Sequence, residues 1–212
     1  MSSQARRRIV VLRHGRTAWN DQRRFQGRCD PPLDDVGLAQ ADAAAGRIET
    51  MEPAILLASD LVRARQTAEA VASTVGMATV FDPRLREADI GHWEGLTRAE
   101  VQERYPQEYR AWREGLDIRR GGGETYVEVA DRATAAVDQV LGQLPPGETL
   151  VVVTHGGTAK AIIGRLLGLG HDSWRCLSSL AHGRWCVLEE ATFGWRLDEY
   201  NVRPQRRRPP VG

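Results

Sequence analysis

Two stretches of this chain break the usual mixing of polar and apolar positions. Ile9-Val10-Val11-Leu12 and Leu150-Val151-Val152-Val153 are continuous apolar runs, the pattern of strands covered on both faces. Each ends on a histidine motif, Arg13-His14-Gly15 in the first case and Thr154-His155-Gly156-Gly157 in the second. The first strand is predicted over residues 8–13 and the second up to Thr154. Shorter strands are predicted over 54–58 and 79–81. Between them the period changes. Residues 36–51 are alanine-rich and read as a helix opened by the acidic pair Asp34-Asp35. Ser59-Asp60 is expected to cap the next helix. There Leu61, Ala64, Ala68, Val71 and Val75 form one stripe, and Gly76 supplies a natural stop. Residues 83–122 are the least regular, with two short helices, the first opened by the capping box Thr97–Glu100. A long amphipathic helix is predicted over 124–144, ending at Pro145-Pro146-Gly147. Ala159, Ile162, Ile163, Leu166 and Leu167 mark the buried face of the last helix. Residues 184–189 and 195–200 read as edge strands, and the chain is expected to be disordered after Asn201.

Alternation of strands and helices indicates an α/β layer architecture. At 212 residues the chain is expected to be one domain over 1–202 with a basic, proline-containing tail over 203–212. A domain of this size buries roughly 70% of its extended surface without staples. Charge is nearly balanced, 29 basic against 28 acidic residues. That gives no general case for nucleic acid or an anionic membrane as partner. The runs Arg6-Arg7-Arg8 and Arg206-Arg207-Arg208 are expected to be solvated, frayed ends. Cys29, Cys176 and Cys186 are widely spaced without a CxxC pair. Reduced thiols in a cytoplasmic protein are the simplest account. The apolar stretch 9–12 is too short for a signal peptide or a membrane span.

Open α/β sheets place ligands outside the carboxyl ends of their strands. Arg13, His14 and Gly15 therefore stand where such folds keep their sites. Gly15 is expected to let the backbone approach a ligand or turn left-handed. Thr17 and Asn20 follow as hydrogen-bond donors. Arg63 lies in the first turn of its helix, where a cation opposes the dipole. That mismatch makes sense if an anion sits there, held by Arg63 and backbone N–H groups together. Arg65 reads as solvent-exposed. His155-Gly156-Gly157 opens a second helix in the same way. Two histidines, Arg13, Arg63 and a helix N-terminus are suited to a dianion, and phosphate is the obvious one. Glu87 or Asp89 completes the set as a proton source, its pKa expected to be raised by a bound phosphate. The arginine-rich motifs do not suit a metal site. No GxxxxGK[ST] or GxSxG sequence occurs, so a nucleotide P-loop and a serine elbow are unsupported. Most of the six tryptophans read as packing residues, with Trp19 and Trp93 near enough to the motifs to line a pocket.

The segment Arg13-His14-Gly15-Arg16-Thr17-Ala18-Trp19-Asn20 resembles the signature of the histidine phosphatase superfamily, in its phosphoglycerate mutase-like branch. Phe25-Gln26-Gly27, residues 30–33 and Gly37, residues 59–68, residues 87–95 and His155-Gly156-Gly157 are similar to its further stretches, in order and from Ile9 to about Asn201. The resemblance implies a three-layer α/β/α sandwich, with a mostly parallel central sheet and an antiparallel edge. It implies His14 as nucleophile, forming phosphohistidine. Arg13, Arg63 and His155 would hold phosphoryl oxygens, and Glu87 would handle the proton. Gly15, Arg16, Thr17, Asn20, Gln26, Gly27 and Gly156 would bind substrate around the pocket. No metal or cofactor is implied. The partner is a small-molecule phosphate ester, and the edge strands leave a homodimer open. Many members carry glutamate or glutamine in place of Arg16, so Arg16 is expected to favour substrates with an additional anion. The short connection 112–123 and Gly157 favour a phosphatase over a phosphoglycerate mutase. An inactive phosphate-ester binding module is the alternative from another class. The ending Trp195-Arg196-Leu197-Asp198 is similar to that of one group in the superfamily, the glucosyl-3-phosphoglycerate phosphatases, which implies a phosphorylated sugar acid as substrate.

Overall fold

A computed structural model describes residues 5–204. Its sheet has six strands: β1 (Arg8–Arg13), β2 (Pro53–Ala58), β3 (Thr79–Phe81), β4 (Thr149–Thr154), β5 (Trp185–Ala191) and β6 (Gly194–Val202), in the spatial order β3-β2-β4-β1-β5-β6. The two continuous apolar runs take the centre because they have no position to offer water. Ile9 to Leu12 and Leu150 to Val153 are all fully buried, each side chain contributing about 1.5–3 kcal/mol. β1 pairs parallel with β4, β4 with β2, and β2 with β3. β5 and β6 complete the sheet antiparallel.

Seven α-helices accompany the sheet: α1 (Ala18–Asp21), α2 (Asp35–Ile48), α3 (Val62–Val75), α4 (Arg98–Arg104), α5 (Pro106–Glu114), α6 (Tyr126–Leu141) and α7 (Gly156–Leu166). Alternate residues of β1 and β4 choose the layer. Val10, Leu12, Val151 and Val153 pack with Ala44 and Ile48 of α2 and Ala64, Ala68 and Val71 of α3. Ile9, Val11, Leu150 and Val152 pack with α6 and α7 on the other face. This is the expected three-layer sandwich. The chain leaves β1 toward α2 on one face and leaves β4 into α7 on the other. A crevice therefore opens between the carboxyl ends of β1 and β4. The irregular segment builds a satellite cluster beside it, where Trp93, Val101, Val129 and Trp174 are buried together.

Several local expectations need correction. Ser59-Asp60 does not cap α3; its N-cap is Leu61, with no side-chain bond. Ser59 is instead fully buried. The predicted helix 124–144 is shorter, because Thr125 accepts from the Glu128 N–H and Glu128 returns to the Thr125 N–H. This capping box fixes the start of α6 at Tyr126. The basic start is not frayed: Arg7 binds Glu190 at 2.9 Å and Arg8 begins β1. β6 runs on to Val202, one residue past the point after which disorder is expected. Residues 205–212, with Arg206, Arg207 and Arg208, lie outside the described residues. The three cysteines are free thiols. Among the described residues no helix is long and apolar enough to cross a membrane.

Candidate active site

His14 stands at the end of β1, its N–H bonded to the Thr154 carbonyl of β4 at 2.9 Å. Only 3% of it is exposed. Its Nδ1 lies 2.6 Å from the Gly15 carbonyl oxygen. A carbonyl only accepts, so Nδ1 carries the hydrogen and Nε2 keeps a free lone pair. Burial pushes the imidazole well below its ordinary 6.5, and the positive charges of Arg63 and Arg13 push the same way. His14 is therefore neutral and nucleophilic at pH 7.

His155 N-caps α7 at the end of β4, its ring centroid 5.2 Å from that of His14. Its Nε2 meets the Ser59 hydroxyl at 2.8 Å, while Nδ1 is buried with no partner. If Ser59 donates to Nε2, the hydrogen of the neutral ring sits on Nδ1, ready for an acceptor. Burial, then Arg63, also holds His155 well below 6.5. Arg63 is 1% exposed. Its Nη1 and Nη2 donate to the Cys29 and Gly27 carbonyls at 2.7 and 2.8 Å. Arg13 donates through Nη1 to the Leu180 carbonyl at 2.6 Å and approaches His182 Nε2 through Nη2 at 2.8 Å. The Nε of each arginine is buried without a partner. A cavity of about 140 Å³ is lined by Arg13, His14, Asn20, Gln26, Gly27, Arg63 and Glu87, with Arg120.

Of the two candidate acids, Glu87 is the one at the cavity. Asp89 turns toward Arg28, at 3.6 Å. Glu87 Oε2 accepts from the Gly157 N–H at 2.9 Å, and Oε1 accepts from the Ala88 and Thr158 N–H groups at 3.0 and 3.1 Å. The N-terminus of α7, expected to hold an anion, thus already holds the carboxylate of Glu87. The N-terminus of α3 is likewise taken, since Val62 N–H donates to Asp30 Oδ1 at 2.8 Å. The Val62, Gly157 and Thr158 N–H groups are therefore not free for a second anion. The expected rise of the Glu87 pKa is absent from the free site. Burial raises it, but the Gly157 and Ala88 N–H bonds and the charges of Arg120 and Arg63 outweigh burial, and the net shift is downward.

Three predicted pocket residues do other work. Gly15 has no left-handed backbone. Its missing Cβ makes room for the Gly37 carbonyl oxygen, which a Cβ would meet at 2.3 Å. Thr17 is buried, N-caps α1 and bonds Gln26 Oε1 at 3.1 Å, so it positions Gln26. Arg16 is held at 2.8 Å by both Asp34 and Asp21 and does not line the His14 cavity. Gly156 does line the adjoining cavity, and a Cβ there would press on the Arg13 guanidinium at 3.1 Å.

Four residues escaped the sequence reading: Ser59, His182, Arg120 and Tyr126. Arg120 was discoverable as an arginine beside Gly121-Gly122-Gly123 just before a capping box. His182 carries no local signal, since only the path from Leu180 to β5 brings it to Arg13. The tryptophans also differ from expectation. Trp93 is fully buried, and a cavity of about 450 Å³ beside the site is lined by Trp112 and Trp174 instead of Trp19. Among the described residues no group of three His, Cys, Asp or Glu side chains is arranged to hold a metal ion.

Residues 9–203 match the model of the histidine phosphatase superfamily, branch 1. The chain belongs to that superfamily. It is 36% identical over 216 residues to a glucosyl-3-phosphoglycerate phosphatase of Mycolicibacterium vanbaalenii, covering 94% of this chain and 96% of the relative. It is 40% identical over 163 residues to a metal-independent phosphoserine phosphatase of Arabidopsis thaliana, covering 74% and 68%. The solved structure of a mycobacterial glucosyl-3-phosphoglycerate phosphatase with inorganic phosphate superposes with a TM-score of 0.86. Its sequence is 35% identical, with 93% of this chain and 98% of that chain covered. The order of the four motifs of this superfamily follows from the sheet. Arg13-His14 and His155 end adjacent strands, Arg63 opens the helix after β2, and Glu87 follows β3.

Proposed function

We propose that this histidine phosphatase hydrolyses phosphomonoesters by passing the phosphoryl group through His14 to water. One observation carries the reading. A neutral, buried imidazole with a free Nε2 shares its cavity with Arg13 and Arg63 and packs beside His155, and Arg13 Nε, Arg63 Nε and His155 Nδ1 are buried without partners. A tetrahedral dianion supplies acceptors for all three and offsets the two positive charges.

In the first step the His14 Nε2 lone pair forms a bond to phosphorus while the ester P–O bond breaks. The electron pair leaves on the alcohol oxygen, which takes a proton from Glu87. In the second step a water oxygen attacks phosphorus and gives its proton to the Glu87 carboxylate. The P–N bond breaks and its electron pair returns to Nε2. Arg13 and Arg63 hold charge on the equatorial oxygens throughout. Glu87 is ionised in the free site, so its proton depends on the substrate. A dianion beside the carboxylate opposes its ionisation and raises its pKa. Gly157 keeps Glu87 in place, since a Cβ there would meet Glu87 Oε1 at 2.7 Å.

The glucosyl-3-phosphoglycerate phosphatases among the relatives support a phosphorylated sugar acid as substrate. The setting we infer is the cytoplasm. The test is phosphate release from p-nitrophenyl phosphate with and without EDTA, together with acid-labile labelling of the protein by a radioactive substrate. We expect activity that EDTA leaves intact and a label that His14→Ala loses. Inhibition by EDTA would remove the metal-free route. Release of phosphate with no trapped label in rapid-quench experiments would remove the phosphohistidine.

A further inference from the structure

Arg119 and Arg120 are adjacent in sequence and opposite in fate. Arg119 points outward and pairs with Glu128 at 2.5 Å. Arg120 points inward, is 6% exposed, and lays its guanidinium 4.2 Å over the Tyr126 ring. Its Nε and Nη2 are buried and have no hydrogen-bond partner among the described residues. No carboxylate lies within 4 Å of it among those residues. A buried guanidinium without a directly paired anion is costly to keep. Yet the loop is built to hold it. Gly121 has φ +60°, and a Cβ there would meet the Ile90 carbonyl oxygen at 2.0 Å. The Gly121 N–H donates to Glu108 Oε2 at 3.0 Å.

Arg120 lines both the cavity at His14 and the larger one of about 450 Å³. It therefore stands at their junction. Its side of the junction can be assigned. Glu87 lines both cavities too, and the Tyr126 ring beneath Arg120 lines the larger one. Glu87 serves the alcohol oxygen, so Arg120 faces the alcohol half of the substrate. Lys160 also lines the larger cavity, half-buried and with no carboxylate within 4 Å among the described residues. Trp112 and Trp174 provide apolar walls.

We propose that Arg120, with Lys160 in the same cavity, is the receptor for a second anionic group on the alcohol half of the substrate. The enzyme then selects phosphomonoesters of acidic alcohols. This rests on the phosphatase reading above and assigns to Arg120 the role the sequence suggested for Arg16. The planar fork of Arg120 suits a carboxylate or a second phosphate.

The test uses 3-phosphoglycerate and glycerol 3-phosphate, which differ by a carboxylate in place of a hydroxymethyl group, with propane-1,3-diol bisphosphate as the second anion. The readout is the ratio of kcat/KM for each acidic ester to that for glycerol 3-phosphate. A ratio cancels any general loss of turnover. We expect the wild-type ratio to fall about 10- to 100-fold in Arg120→Met, the size of one lost charge-assisted bond. We expect partial retention in Arg120→Lys and a smaller fall in Lys160→Met. The acidic ester whose ratio falls further identifies the anion. Equal ratios in wild type and Arg120→Met would overturn the proposal, as would a wild type that prefers glycerol 3-phosphate. Calorimetric binding of the same esters to His14→Ala and to His14→Ala/Arg120→Met reads the subsite without turnover. Failure of the phosphatase reading, seen as no hydrolysis of any ester, is thereby distinguished from failure of the subsite.

Discussion

At the scale of single residues, two side chains divide the chemistry and separate cleanly by substitution. In the proposed mechanism, His14→Ala removes the atom that accepts the phosphoryl group. Turnover should fall by more than about 10³-fold, measured as steady-state phosphate release. Glu87→Gln keeps the shape, but its amide accepts through one atom only, so its NH2 faces an N–H group now bonded to Oε1 or Oε2. It should cost about 10²–10⁴-fold in kcat and about 1–3 kcal/mol in stability, read from paired kinetics and urea melts. Arg16 is the contrasting case. Its pairs with Asp34 and Asp21 are partly exposed, so Arg16→Gln should change stability by less than about 1 kcal/mol. It should also leave the acidic-ester preference at its wild-type value. A loss of that preference in Arg16→Gln would return the role to Arg16. Nothing in the tripeptide Arg13-His14-Gly15 reveals which nitrogen is free. That is decided by the Gly15 carbonyl 2.6 Å from Nδ1.

At the scale of elements, the site depends on how α7 begins. His155 N-caps it without a side-chain bond, and Glu87 arrives from a distant loop to satisfy the first turn. Helix N-terminus and the proposed catalytic acid are thus one structure. Gly157→Ala places a Cβ 2.7 Å from Glu87 Oε1 and 3.0 Å from Tyr126. We expect kcat to fall at least about 10-fold, with a loss of about 1–3 kcal/mol, measured by turnover and thermal melting. The sequence pointed to both helix N-termini as anion sites, on sound dipole physics. It could not show that Asp30 and Glu87 occupy them, because those carboxylates are 32 and 70 residues away from their partners.

At the scale of the molecule, three histidines meet in one neutral cluster. His14 lies 5.2 Å from His155 and 5.8 Å from His182. Burial is the first cause of depression in each, and His182 is pushed down to about 3. Their folded pKa values lie below the unfolded value near 6.5, so the unfolded chain binds more protons at acid pH. Stability is then fully present above about pH 6.5 and lost as pH falls, by up to about 1.4 kcal/mol per pH unit for each histidine. Depressed carboxylates such as Glu124, where burial is outweighed by the hydrogen bonds from Arg132 and the Asp89 N–H together with the charges of Arg132 and Arg28, add to the loss below about pH 4.5. Thermal melts should show Tm falling from pH 7 toward pH 4. A flat profile between pH 6.5 and 5 would contradict the neutral cluster.

The local pattern was enough for the strands, the layers and the residues that end β1 and β4. Continuous apolar runs must lie in the sheet interior, and motifs at their carboxyl ends must face the crevice. Arg63 was legible for a related reason, since a cation in a first helical turn is out of place without an anion. What the sequence could not contain was the set of partners met only through space. The tertiary structure decided that Asp34 and Asp21 neutralise Arg16, that Ser59 serves His155 rather than α3, and that Glu87 closes α7. It also left Arg120 buried where the two cavities meet, with no carboxylate within 4 Å among the described residues. Periodicity encodes what a residue turns toward within its own element, whereas charge compensation between elements depends on distances that only the fold sets.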